Sequence, residues 1–187
     1  MSDFEHRAQL SRLALEPASA EKLATYLDLV AHWSARVNLT GARTVGQRVA
    51  VLVEPILQAL PALAGARDLI DLGSGNGSPG LVLAILCPSL RVRLLEPRAK
   101  RWAFLREAAR VLGCAGVEVL RERHDQHRGP AADRISVRAL RLAPLDVAPL
   151  LVPGGRLLCW GPAWKATAGW QVESQAPGFQ VVQRCFT

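Results

Sequence analysis

A doubly wound α/β fold, with a mostly parallel seven-stranded sheet behind an N-terminal helical extension, is predicted from three observations. From residue 67 onward, short apolar runs alternate with helix-length amphipathic segments, the pattern of a parallel sheet covered on both faces. A glycine-rich turn with Gly73, Gly75, Gly77 and Gly80 joins the first of those runs directly to an apolar helix-length segment. Residues before 67 instead carry apolar stripes at helical spacing. A chain of 187 residues, 50% hydrophobic, can bury one sizeable core, so a helical extension over 1–66 is expected to pack on a single domain over 67–187.

In the extension, Phe4, Leu10, Leu13 and Leu15 predict a short helix that Pro17 ends. Ser19 is the expected N-cap of the next helix, with Glu21 in a first turn where negative charge suits the dipole. Leu23, Tyr26, Leu27, Val30 and Trp33 then line one apolar face. Turn-prone residues over 37–41 break the pattern, and a third helix carries Val45, Val49, Leu52, Val53, Ile56 and Leu60, bent at Pro55 and stopped by Pro61.

Strands are predicted over 67–72, 91–96, 117–121, 134–138, 156–160, 170–174 and 180–186. The helix over 98–112 should turn Trp102, Leu105, Ala109 and Leu112 to the sheet and Arg101, Arg106 and Arg110 to solvent, with Gly113 as its stop.

Composition narrows the function classes. Cys87, Cys114, Cys159 and Cys185 are widely spaced and form no Cys-x-x-Cys pair, which disfavours metal and disulfide frameworks. No secretion signal or membrane-length apolar run is read, so a cytoplasmic protein without a membrane partner is expected, and a monomer. The net charge of +7 is concentrated in residues 91–110, where Arg91, Arg93, Arg98, Lys100, Arg101, Arg106 and Arg110 face only Glu96 and Glu107. That pattern favours a polyanionic partner, although only three of the 23 basic residues are lysine and a compositional bias toward arginine would look the same.

The glycine turn reads as a cofactor site, since a tight strand-to-helix turn needs backbone angles that a β-carbon forbids. Gly75-x-Gly77-x-x-Gly80 fits the dinucleotide fingerprint, a pattern that recurs in unrelated chains. Asp71, two residues before the first glycine, makes the whole resemble the first motif of S-adenosylmethionine-dependent methyltransferases rather than the NAD version. Pro79 fits the first helical turn. Seven strands suit the class I, Rossmann-like methyltransferase fold. Glu96 ends the second strand 19 residues after Gly77, near the offset at which a carboxylate meets a ribose diol. His124 and Asp125 follow the third strand, either as ligand contacts or as a solvated loop pair. Trp160 and Trp164 lie near the expected cleft, as base platforms or as core.

Trp33 with Val37-Asn-Leu-Thr40, the loop from Asp71 to Ile85 with its Pro79-Gly80 ending, Lys100 with Phe104-Leu105, and Asp133-x-Ile-Ser-x-Arg138-Ala139 together resemble the RsmG (GidB) family over most of residues 10–160. That resemblance implies a bacterial methyltransferase acting on guanine N7 of small-subunit ribosomal RNA, with ribosomal RNA or the small ribosomal subunit as partner. It implies that Asp71, Gly73, Gly75, Gly77 and Ser78 form the S-adenosylmethionine loop, that Glu96 meets the ribose, and that His124 and Asp125 meet the adenine. Arg138 would stand beside the methionine portion as the catalytic candidate; pairing with Asp133 or Asp71 is the alternative. Where the family usually has Lys-Gly after the fifth strand this chain has Trp160-Gly161, and where it has Asp-Ser in the third helix this chain has Glu54-Pro55. The link over 161–169 is also short for a helix. A class I methyltransferase with another substrate, and a non-catalytic relative that binds cofactor or ribosomal RNA, stay open beside the main reading.

Overall fold

The computed structural model describes residues 2–161, 164 and 167–185. Its centre is one sheet of β1 (Asp68–Leu72), β2 (Arg91–Leu95), β3 (Val117–Leu120), β4 (Ala132–Arg138), β5 (Leu151–Trp160), β6 (Trp170–Ala176) and β7 (Phe179–Arg184). The order is β3-β2-β1-β4-β5-β7-β6, and β7 alone runs opposite to the other strands. This is the class I methyltransferase fold. The chain leaves β1 for β2 on one side and returns to β4 on the other, which opens a crevice at the carboxyl ends of β1 and β4. Every expected strand is present. β5 starts five residues before the predicted 156, because an irregular register against β4 carries the pairing past Pro153 and Gly154.

Two apolar layers flank the sheet. On one face α5 (Gly80–Leu86) and α6 (Ala99–Val111) bury Leu81, Leu83, Phe104 and Leu105, and α2 (Pro17–Ser34) adds Leu23, Leu27 and Val30 to the same core. On the other, Ile70, Leu72, Ile135 and Leu157 form a smaller core with Trp170, beside α7 (Pro144–Val147).

The extension consists of α1 (Ser2–Leu10), α2, α3 (Val45–Leu52) and α4 (Glu54–Leu57). α2 begins at Pro17, not at a Ser19 cap: proline's fixed φ and missing N–H suit the first turn, and the Ser19 hydroxyl instead donates to the Ile85 carbonyl at 3.4 Å. Thr44 and Gln47 form a capping box at the start of α3. The bend read at Pro55 is a break at Val53. Pro55 has no amide hydrogen for the Val51 carbonyl four residues back. The Ile56 amide bonds the Val53 carbonyl at 2.9 Å, one residue short of helical pairing, so the Leu52 carbonyl is released as well. No described helix is long and apolar enough to cross a membrane.

Candidate functional site

The loop from Gly73 to Pro79 leaves β1 with its amides almost fully used. Gly73 and Ser74 donate to the Leu95 carbonyl at 2.9 and 3.1 Å, and Gly77 donates to the Ser74 carbonyl at 2.7 Å. Gly75 donates to Glu96 Oε2 at 2.9 Å, and Ser78 to Asn76 Oδ1 at 3.0 Å. The Asn76 amide is left without a hydrogen bond among the described residues. Gly75 has φ of +51°, which strains any other residue, whereas Gly80 serves by close approach: a β-carbon there would stand 2.6 Å from Asp71 Cβ. Pro79 is the residue before α5 rather than part of its first turn, and the Ser78–Pro79 peptide is cis.

Asp71 is fully buried beneath this loop. Its Oδ1 accepts from the Ser136 hydroxyl at 2.6 Å, while Oδ2 has no hydrogen-bond partner among the described residues. Burial pushes its pKa from 3.8 up to about 6, with the Ser136 hydroxyl pulling the other way. Glu96, 3% exposed, sits just past β2, its Oε2 taken by Gly75 and its Oε1 accepting the Arg98 amide at 2.8 Å. Each oxygen retains a free lone pair.

Arg138 closes β4. Its Nη1 donates to Ser78 Oγ at 3.0 Å and its Nη2 to the Val51 carbonyl at 2.8 Å, and the Ser78 hydroxyl in turn donates to the Leu52 carbonyl at 2.8 Å. Neither alternative partner is used. Asp133 lies at the far end of β4, accepting the amides of Arg67 and Asp68. The two carbonyls released by Pro55 are thus the acceptors that fix Arg138 and Ser78. The sequence marks the bend but not this consequence.

Two adjoining hollows result. One of about 390 Å³ is lined by Gly73, Glu96, Arg98, Arg101, His124 and Leu142. The other, about 220 Å³, is lined by Leu39, Val51, Gly75, Asn76, Ser78 and Arg138, and the two share Gly73 and Arg101. Arg101 is thereby a cleft residue and not the solvent-facing one expected; its Nη2 donates to the Asn38 carbonyl at 3.0 Å. Asp125 is exposed beside His124, its carboxylate held by Arg123 at 3.0 Å, which lowers its pKa. A hollow of about 410 Å³ near Arg106, Arg110 and Cys114 lies apart from the glycine loop, between α6 and the outer strand β3.

Trp160 is 6% exposed, packs on Phe179 with ring centres 4.7 Å apart and donates its indole N–H to the Pro55 carbonyl at 2.8 Å, so it is core and not a base platform. Trp164 is half-buried beside Trp170; the rest of the short link, residues 162, 163, 165 and 166, lies outside the described residues. The basic run is also divided: Arg91 pairs with Asp68, Arg93 donates to the Pro130 carbonyl, Arg106 lies over the Trp102 ring and Arg110 pairs with Glu107, leaving Arg98, Lys100 and Arg101 at the cleft end of α6.

Residues 19–159 match the family described as GidB, rRNA small subunit methyltransferase G. The chain is 40% identical over 156 residues to the ribosomal RNA small subunit methyltransferase G of Paramagnetospirillum magneticum, covering 80% of this chain and 74% of that one. To the protein of the same name from Rhodopseudomonas palustris it is 38% identical over 192 residues, covering 92% and 79%. A solved variant of MtNAS in complex with S-adenosylmethionine shares the fold with a TM-score of 0.58 at 15% identity, over 95% of this chain and 82% of that one. With its family match spanning most of the chain around this cleft, the chain belongs to the GidB family of rRNA small subunit methyltransferase G proteins.

Proposed function

We propose that the chain transfers the methyl group of S-adenosylmethionine to N7 of a guanine in 16S ribosomal RNA. The observation that carries the reading is the pair of adjoining hollows, around Glu96 and around Arg138, at the strand ends of a chain of this family. The residues present fit the cofactor. Glu96 has lone pairs left for a ribose diol, Gly73 and Gly75 keep the loop free of side chains, and His124 borders the adenine end. Asp125 is the second adenine candidate, once its carboxylate leaves Arg123. Asp71 and Gly77, both buried, act by holding the loop rather than by touching the ligand. Ser78 and Arg138 border the methionine end, with Arg138 the group nearest the reaction.

When bound, the cofactor supplies an electrophilic sulfonium methyl. Guanine N7 carries a lone pair at neutral pH, so the chain has no proton to remove. Its task is to hold the base in line and to exclude water, and proximity of this kind is worth up to roughly 7–11 kcal/mol. Leu39, Val51 and Leu52 give the smaller hollow the apolar wall that this requires. Arg98 and Lys100, exposed beside the cleft, suit phosphates of the RNA strand. In this reading residues 1–66 are an extension completing the cleft of the domain over 67–187, and the protein works in the cytoplasm as a monomer on ribosomal RNA or the small subunit.

The test is transfer of labelled methyl from S-adenosylmethionine to naked ribosomal RNA and to small ribosomal subunits, followed by nucleoside analysis. N7-methylguanosine is the expected product. Another methylated nucleoside would redirect the substrate, and cofactor binding without transfer would make the chain a binding-only relative.

A further inference from the structure

The glycine loop is held from beneath by the helical extension, and one side chain stands at the centre of that contact. Tyr26 of α2 is fully buried, and its hydroxyl donates to the Asn76 carbonyl at 2.9 Å. Its ring lies under Gly77, with Cε2 3.3 Å from where a β-carbon on that glycine would be. Burial drives the phenol pKa far upward, so the hydroxyl stays a donor at any working pH.

The loop's own bonds leave a specific need for that donor. Glu96 fixes the peptide that ends at the Gly75 amide, and Tyr26 holds the carbonyl end of the Asn76–Gly77 peptide, whose Gly77 amide donates to the Ser74 carbonyl at the other end. Between them lies the peptide bearing the Asn76 N–H, the one loop amide with no protein acceptor among the described residues. The Asn76 side chain adds a second tie to the extension, donating from Nδ2 to the Leu39 carbonyl at 3.1 Å. We infer that Tyr26 is a positioning residue for the cofactor: it helps set the plane of the loop peptides that face the ligand, so the extension tunes cofactor affinity through the Tyr26 hydroxyl. The inference rests on the cofactor reading given above. Substituting Tyr26 by Phe keeps the ring and takes the tyrosine donor from the Asn76 carbonyl, a change that loosens the peptide at that end.

The experiment is calorimetric titration of S-adenosylmethionine into the full-length chain, its Tyr26→Phe, Asn76→Ala and Val30→Ala variants, with melting temperatures and steady-state methyl transfer alongside. Val30 is buried on the same helix, one turn beyond Tyr26, and has no polar side-chain atom to offer the loop. Tyr26→Phe should raise cofactor Kd and KM about tenfold with kcat within twofold, and Asn76→Ala should raise Kd in the same direction. Val30→Ala should lower the melting temperature and leave Kd unchanged. Wild-type cofactor affinity in Tyr26→Phe, or in Asn76→Ala should the former not fold, overturns the positioning role while leaving the cofactor site intact. Weakening that tracks melting temperature equally in Tyr26→Phe and Val30→Ala also overturns it. A wild-type chain that binds no S-adenosylmethionine removes the cofactor reading itself, and the inference with it.

Discussion

The guanidinium of Arg138 donates to the Val51 carbonyl at 2.8 Å, and that carbonyl is free because Pro55 has no amide hydrogen to offer it. A proline in the extension and an arginine at the end of β4 thus act together. The consequence is testable at the proline. Ala at position 55 restores the missing N–H, so Pro55→Ala should let α3 run on into α4 and compete with Arg138 for Val51. Stability in denaturant unfolding should hold or rise by about 1 kcal/mol, while kcat/KM for methyl transfer falls about tenfold. Parallel loss of both would mean that the helix did not straighten.

Much of this arrangement is legible in the sequence, for definite reasons. Alternating apolar runs and helical stripes report burial directly, so all seven strands and α2, α3 and α6 lie where periodicity puts them. The glycine loop is legible because its geometry excludes other residues. What periodicity misses is who answers a polar group left over. Tyr26 reads as one more apolar position, although its hydroxyl meets the Asn76 carbonyl fifty residues away. Trp160 reads either as core or as a platform near the cleft, because sequence gives its place on β5 and not the Pro55 carbonyl that turns its indole inward. The basic run looks continuous until β2 carries Arg91 and Arg93 to partners in Asp68 and the residues around Pro130.

Gly80 tests the packing of α5 on β1. A β-carbon at this position would stand 2.5 Å from Leu94 Cδ2 and 2.6 Å from Asp71 Cβ, and the second atom sits too close to its backbone to move aside. Gly80→Ala should therefore destabilise the chain by roughly 1–3 kcal/mol. Gly46, in α3, meets nothing within 4 Å, and Gly46→Ala should be neutral or stabilising by up to about 1 kcal/mol. Chemical denaturation of both variants reads the difference directly.

Asp71 makes stability depend on pH with an unusual sign. Its pKa is about 6 in the folded chain against 3.8 ordinarily, so between those values the folded state holds a proton that the unfolded state has released. Stability from this group is greatest below pH 4 and falls as pH rises through about 6, by roughly 3 kcal/mol in all. Asp71→Asn keeps the shape without the charge. Whatever constant offset its amide brings, its stability relative to wild type should improve steadily from pH 4 to pH 7 in urea titrations. A difference flat with pH would show that Asp71 does not change charge in this range.

Trp160 separates structural support from substrate contact. Its indole N–H meets the Pro55 carbonyl at 2.8 Å, and the Gln58 amide donates to the same carbonyl at 2.9 Å, so that oxygen keeps a partner if the indole is lost. Trp160→Phe removes one hydrogen bond, worth about 0.5–1.5 kcal/mol, and part of a ring packed on Phe179. Unfolding free energy should drop by about 2–3 kcal/mol once the smaller ring's cavity is included. Affinity for ribosomal RNA in filter binding should stay within twofold, because the ring is 6% exposed and turned toward α4. A tenfold loss of RNA affinity with unchanged stability would place the indole against the base instead, and the apolar wall of Leu39 and Val51 would then lose its role as the guanine's seat.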